Sequence, residues 1–162
     1  MLLRTMTSES RFMLRAIELA RKGMLAGDGG PFGAVVVRNG EIIGEGWNRV
    51  LLNNDPTAHG EVTAIRDACT KINDFRLSGC EIHTTGQPCP MCLGAIHWAR
   101  IDRIYYGFSI EDAATAGFDD QDFYSELSLP AEQRSIPSLQ SEAKEALQLL
   151  EDYKSLPGTK DY

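Results

Sequence analysis

Long apolar runs are missing from this 162-residue chain: none approaches the roughly 18 to 20 residues needed to cross a bilayer, so no membrane partner is expected. The start, Met1-Leu2-Leu3-Arg4, also lacks the apolar stretch of a secretory signal. Import into an organelle is argued against by Glu9 and Glu18, and Phe12, Leu14, Ile17 and Leu19 read as one face of an amphipathic helix. Basic charge is scarce, with 16 Lys and Arg against 23 Asp and Glu, for a net charge of -7. The chain as a whole therefore offers no attractive field to a phosphate backbone, which disfavours nucleic acid as a partner. Cysteine is sparse as well. Of four, Cys89 and Cys92 form a C-x-x-C pair while Cys69 and Cys80 stand alone, a pattern unlike that of a disulfide-stapled secreted domain. Metal or redox chemistry in the cytoplasm is the expectation.

What is present suits one globular domain. Hydrophobic residues make up 43% and charged residues 24%, close to the soluble average, which argues against disorder except at the ends. Residues 8–25 have helical spacing, the glycine-rich 27–31 breaks the chain, and 32–37 reads as a strand. Asn39-Gly40 favours a tight hairpin into a partner strand over 41–47. After a polar loop at 51–57, helical spacing returns over 58–71, followed by a strand at 80–84, a helix at 88–99, a strand at 103–107 and a helix at 110–116. Alternation of this kind predicts a three-layer α/β/α sandwich. Residues 118–130 read as loop-rich, and 138–153 fit a helix. We take residues 1–154 as the domain and 155–162 as a tail with no evident place in the core.

The residues that carry chemistry are His59-Gly60-Glu61 and, further along, Pro88-Cys89-Pro90-Met91-Cys92. This is the H-x-E and P-C-x-x-C pattern of zinc deaminases. One imidazole and two thiolates suit Zn²⁺, and three protein ligands leave a fourth tetrahedral position for water, whose pKa the metal lowers to about 7. His59 and Glu61 can share a site only if His59 lies at the very start of its helix, because residues two apart on a helix diverge. With Pro88 opening the next helix, Cys89 and Cys92 fall in its first turn, and two positive helix ends converge on the metal. Glu61 is the expected proton shuttle.

Blander readings compete. The C-x-x-C pair alone is compatible with a redox dithiol, but H-x-E upstream favours zinc. A structural zinc site would need His83 or His97 as a fourth ligand and would leave Glu61 without purpose. Cys69 and Cys80 read as small buried hydrophobes. The glycines at 27–33 follow a helix and lack the Lys-Ser/Thr of a phosphate loop.

Taken together, the chain resembles the cytidine deaminase superfamily, and within it the short bacterial guanine deaminases. The resemblance rests on Gly29-Gly30-Pro31-Phe32-Gly33-Ala34-Val35, Asn54-Asp55-Pro56-Thr57-Ala58-His59, Glu61-Val62-Thr63-Ala64-Ile65-Arg66, residues 88–96, and Ala116-Gly117-Phe118-Asp119-Asp120. It implies a five-stranded mixed sheet between helices and one zinc per subunit. It also implies a homodimer exchanging its C-terminal segment, so that Tyr162 closes the partner's pocket. It assigns base contacts to Asn48, Phe32, Trp98 and Asp120, and it implies hydrolysis of guanine to xanthine and ammonia. Without it, Phe32 and Trp98 read as core, Asn48 as a turn residue and Asp120 as part of a solvated loop.

Two positions depart from the pattern. Gly60 stands where alanine is usual, and its missing methyl is expected to widen the pocket floor; Gln87 stands where glutamate is usual and removes a charge. Both bear on the substrate more than on the reaction. Alternatives are deamination of a nucleoside, an aminotriazine or tRNA adenosine, and, from another class, a zinc-stabilised binding module without turnover.

Overall fold

The three valines of one strand organise the fold. Val35, Val36 and Val37 are almost wholly buried, and because successive side chains of a strand point to opposite faces, both faces there must be covered. The computed structural model describes residues 8–159. They fall into two compact units, Met1–Tyr124 and Ser125–Tyr162.

In the first unit the chain runs α1 (Ser8–Ala26), β1 (Gly33–Arg38), β2 (Glu41–Trp47), α2 (Val50–Asn53), α3 (Gly60–Ile72), β3 (Cys80–Gly86), α4 (Pro90–Trp98), β4 (Arg103–Phe108) and α5 (Ile110–Thr115). α6 (Asp120–Ser128) follows, and α7 (Ala143–Ser155) belongs to the second unit. The sheet has the order β2-β1-β3-β4, antiparallel except for the β3/β4 pair. On one face Phe12 and Leu19 of α1 pack with Val35 and Val37. On the other, Ala64 and Ala68 of α3 and Ile96 of α4 pack with Ala34, Val36 and Ile82. Each fully buried Val or Ile contributes on the order of 1.5–3 kcal/mol relative to exposure.

Two features of this frame position the site. First, α3 lies backbone to backbone on β2, because Gly44 and Gly46 carry no side chain. A Cβ on Gly46 would stand 2.5 Å from the Gly60 carbonyl oxygen, and one on Gly44 2.6 Å from Ala68 Cβ. Second, the register pairs Gly33 with Trp47, Ala34 with Thr84 and Gly86 with Phe108. Phe32, Asn48 and Gln87 therefore leave the sheet at the same end, tied by Asn48 N–H to Phe32 O at 2.8 Å and Gln87 N–H to Phe108 O at 2.9 Å.

The α/β/α sandwich is as expected, with corrections. The sheet has four strands among the described residues, not five. Residues 118–130, expected to be loop-rich, contain α6, whose first turn carries Asp120 and Asp122, where carboxylates favour a helix N-terminus. Pro90, not Pro88, opens α4. The segment expected as polar loop begins with the single turn of α2.

Candidate active site

The approach to α3 is set by an aspartate turn: Asp55 Oδ1 accepts from the Thr57 N–H at 2.8 Å and from its hydroxyl at 2.7 Å. His59 then caps α3 with extended backbone, φ -69° and ψ 158°. Being outside the helical path, its imidazole is free to share a side with Glu61, as the spacing argument required. Cys89 likewise caps α4, at φ -66° and ψ 168°, with Pro90 in the first helical turn. Its sulfur accepts from the Cys92 N–H at 3.5 Å.

These caps bring the three expected ligands together. His59 Nδ1 lies 3.6 Å from Cys89 Sγ and 3.5 Å from Cys92 Sγ, and all three donor atoms are within 4.8 Å of one another. With Zn–S near 2.3 Å and Zn–N near 2.0–2.1 Å, a tetrahedral N···S edge is about 3.6 Å. The group fits zinc. No fourth protein ligand joins it among the described residues: His83 is buried against Glu81, with Nε2 and Oε1 3.1 Å apart, and His97 is exposed in the last turn of α4.

The electrostatics agree. A hydrogen bond from Cys92, with a second from His59, pulls the Cys89 thiol down to about 4, and the bond to Cys89 together with burial pushes Cys92 up. The bond to Cys89 raises His59. Glu61, only 3% exposed, is raised chiefly by burial, with the Cys89 thiolate adding to the shift. A carboxyl raised in this way is better able to hold and pass on a proton than an exposed one.

His59 and Cys89 open onto a cavity of about 480 Å³, within the roughly 300–1,000 Å³ usual for small-molecule sites. Phe32 lines it, held edge-on by Phe118 at 4.7 Å between ring centroids and by Phe108 at 5.6 Å. Asn48 lines it too. Its Oδ1 accepts from the Val50 N–H at 3.2 Å. Asp120 completes the polar wall, its carboxyl raised by burial and by Cys89.

Residues 6–108 match the profile of the cytidine and deoxycytidylate deaminase zinc-binding region. The chain belongs to this family. The guanine deaminase of Bacillus subtilis (strain 168) is 49% identical over 151 residues, spanning 93% of this chain and 97% of that protein. An X-ray structure of the Bacillus subtilis enzyme superposes with a TM-score of 0.91 at 48% identity, covering 97% of this chain and 99% of that one. A guanine deaminase structure from Nitrosomonas europaea gives 0.66 at 30% identity, covering 93% and 86%. The tRNA-specific adenosine deaminase of Haemophilus influenzae is 42% identical over 102 residues, 62% of this chain and 58% of that protein. The protein is therefore a hydrolytic deaminase of the guanine deaminase type, with His59, Cys89 and Cys92 placed for one zinc ion.

The remaining expected site residues of this deaminase divide. Phe32, Asn48, Glu61 and Asp120 meet at the cavity. Trp98 does not line it: at the end of α4 the residue is 62% exposed, with the Arg100 guanidinium 5.9 Å from its ring centroid. Gly60 does not widen the floor, because a Cβ there would meet Phe32 O at 3.0 Å and Gly33 Cα at 3.2 Å rather than the cavity. Its absence lets α3 sit close to the start of β1. Tyr162 lies outside the described residues. Phe118 lines the cavity although its sequence position, in the motif ending at Asp120, marked it only as a neighbour. Gln87, singled out as a departure, lines it as well.

Proposed function

We propose that this deaminase converts guanine and water to xanthine and ammonia. The near full-length likeness to the Bacillus subtilis guanine deaminase carries the choice of base. The cavity supports it: Glu61 and Asp120 set carboxyl groups on its wall, which suits the N–H edges of an aminopurine. Phe32 offers a ring face to a flat heterocycle and the Asn48 NH2 donates to a base acceptor.

His59, Cys89 and Cys92 would hold zinc, which would supply the Lewis acidity that makes water nucleophilic at neutral pH. Glu61 accepts a proton from the attacking water as oxygen bonds to the carbon bearing the exocyclic amine, then returns the proton to a ring nitrogen. The second water proton passes through Glu61 to the amine, the C–N bond breaks, and ammonia leaves. Asp120 and Asn48 hold the base in register during both transfers.

We further infer a homodimer in which the tail, residues 155–162, reaches a partner's pocket and brings Tyr162 to it. The resemblance supports this. So does α7, where Leu147, Leu150 and Tyr153 share an exposed face and no residue is buried, since an apolar stripe of that kind suits a partner surface. Mixing a Glu61→Gln chain with one truncated before Lys160 tests the exchange: regained activity supports it, and none contradicts it. A cytoplasmic location is part of the same reading, because Cys69 and Cys80, outside the metal group and in no disulfide, suit a reducing compartment.

The test of the function is ammonia release from guanine, guanosine, cytosine, adenine, an aminotriazine and a tRNA substrate. Guanine should give the highest kcat/KM. Preference for any other member, or no release, contradicts the assignment.

A further inference from the structure

One wall of the cavity comes from neither metal-bearing helix: it is built by Gly29 and Gly30 on one stretch, and Asn48, Val50 and Leu51 on another. Asp28 fastens the two. Its Oδ2 accepts from Trp47 Nε1 at 2.7 Å, and its backbone oxygen accepts from the Leu51 and Leu52 N–H groups at 3.0 Å each. Trp47 directly precedes Asn48, and Gly29, directly after Asp28, lies against Asn48 Oδ1.

The indole is itself fixed. It crosses α1 where Gly23 leaves room, since a Cβ there would stand 2.9 Å from Trp47 Cγ. The Lys22 ammonium and Arg49 guanidinium lie 5.2 and 5.3 Å from the ring centroid, both within cation–π range. An N–H···O bond of 2.7 Å is at the short end for its type, as expected when the acceptor is charged. His59, Glu61, Cys89 and Cys92 are held by α3 and α4 and share none of these bonds.

We propose that Asp28, acting through Trp47, is a positioning residue for substrate selection: it sets the Asn48 amide at the spacing a flat base requires, and takes no part in the chemical step. The proposal rests on the assigned function only for the choice of substrate.

The test compares steady-state kinetics of Asp28→Ala, Asp28→Asn, Trp47→Phe and the Asp28→Ala/Trp47→Phe double variant, with zinc content and melting temperature recorded for each. Wild-type turnover of guanine is measured first. Its absence refutes the substrate assignment alone, and the variants are then compared on whichever base is turned over. Losing this one bond should raise KM roughly tenfold in Asp28→Ala and in Trp47→Phe, with kcat within about twofold. The double variant should be no worse than either single one, since both break the same contact. Asp28→Asn, which keeps an acceptor oxygen, should recover most of the loss. If Asp28→Ala fails to fold, Asp28→Asn and Trp47→Phe still give the split between KM and kcat. An unchanged KM, a fall in kcat alone, or additive losses in the double variant would overturn the proposal.

Discussion

Replacing Glu61 by Gln separates proton transfer from everything else the residue does. Glu61 is 3% exposed, in the first turn of α3, two residues after a metal ligand, so a change of volume there would disturb the centre. Gln matches it in shape. It also removes an ionisable group from a site where burial already disfavours the charged form, so the stability cost should be small, within about 1 kcal/mol of wild type. Zinc content should stay at one per chain, because the ligands are His59, Cys89 and Cys92. What the amide cannot do is carry a proton, and general acid–base catalysis contributes about 10²- to 10⁴-fold. Here one residue serves two successive transfers, which places the expected loss of kcat at the upper end. Ammonia release, metal analysis and urea unfolding on the same preparation read the three quantities together. A Gln variant with one zinc, normal stability and kcat within about tenfold of wild type would refute the shuttle role.

Other outcomes follow from the packing and the charges. Gly46→Ala would drive a methyl group into the Gly60 carbonyl; we expect a loss of about 1–3 kcal/mol by chemical denaturation and weaker zinc retention, since α3 carries His59. Arg15 holds Glu45 through bonds of 2.8 and 3.0 Å and keeps its carboxyl below the ordinary 4.5. Because the folded value is depressed, that stabilisation is full above pH 4.5 and fades as pH falls through the folded value. Glu45→Gln should therefore cost up to about 1 kcal/mol at pH 7, with the gap to wild type closing in urea titrations at successively lower pH below 4.5. A chelator should abolish turnover before circular dichroism shows unfolding, because the core is packed by β1, β3, α1 and α3 without the metal; coincident loss would contradict this.

Much of the site was legible because its signals are local. The Cys89/Cys92 spacing and the flanking prolines announced a helix start, and Asn39-Gly40, whose φ angles are 53° and 78°, announced the hairpin. Asp120 was reached only through the resemblance, because by itself an Asp-Asp pair after Gly117-Phe118 reads as loop until the first turn of α6 uses its charge. α2 spans four residues, too few for any periodicity. The strand count rested on resemblance alone and is one higher than the sheet shows among the described residues. The Asp28–Trp47 bond spans 19 positions and depends on Gly23 leaving room, which no local pattern encodes. Trp98 shows the reverse: read from the residues alone it is core, yet at the end of α4 it is exposed.

Zinc-edge X-ray absorption on the purified protein tests the metal centre most directly. The account predicts one zinc per chain with two sulfur neighbours near 2.3 Å and two nitrogen or oxygen neighbours near 2.0–2.1 Å, one of the latter from solvent. A shell of three or four sulfurs, or a protein that turns over its base while holding no metal, would contradict it.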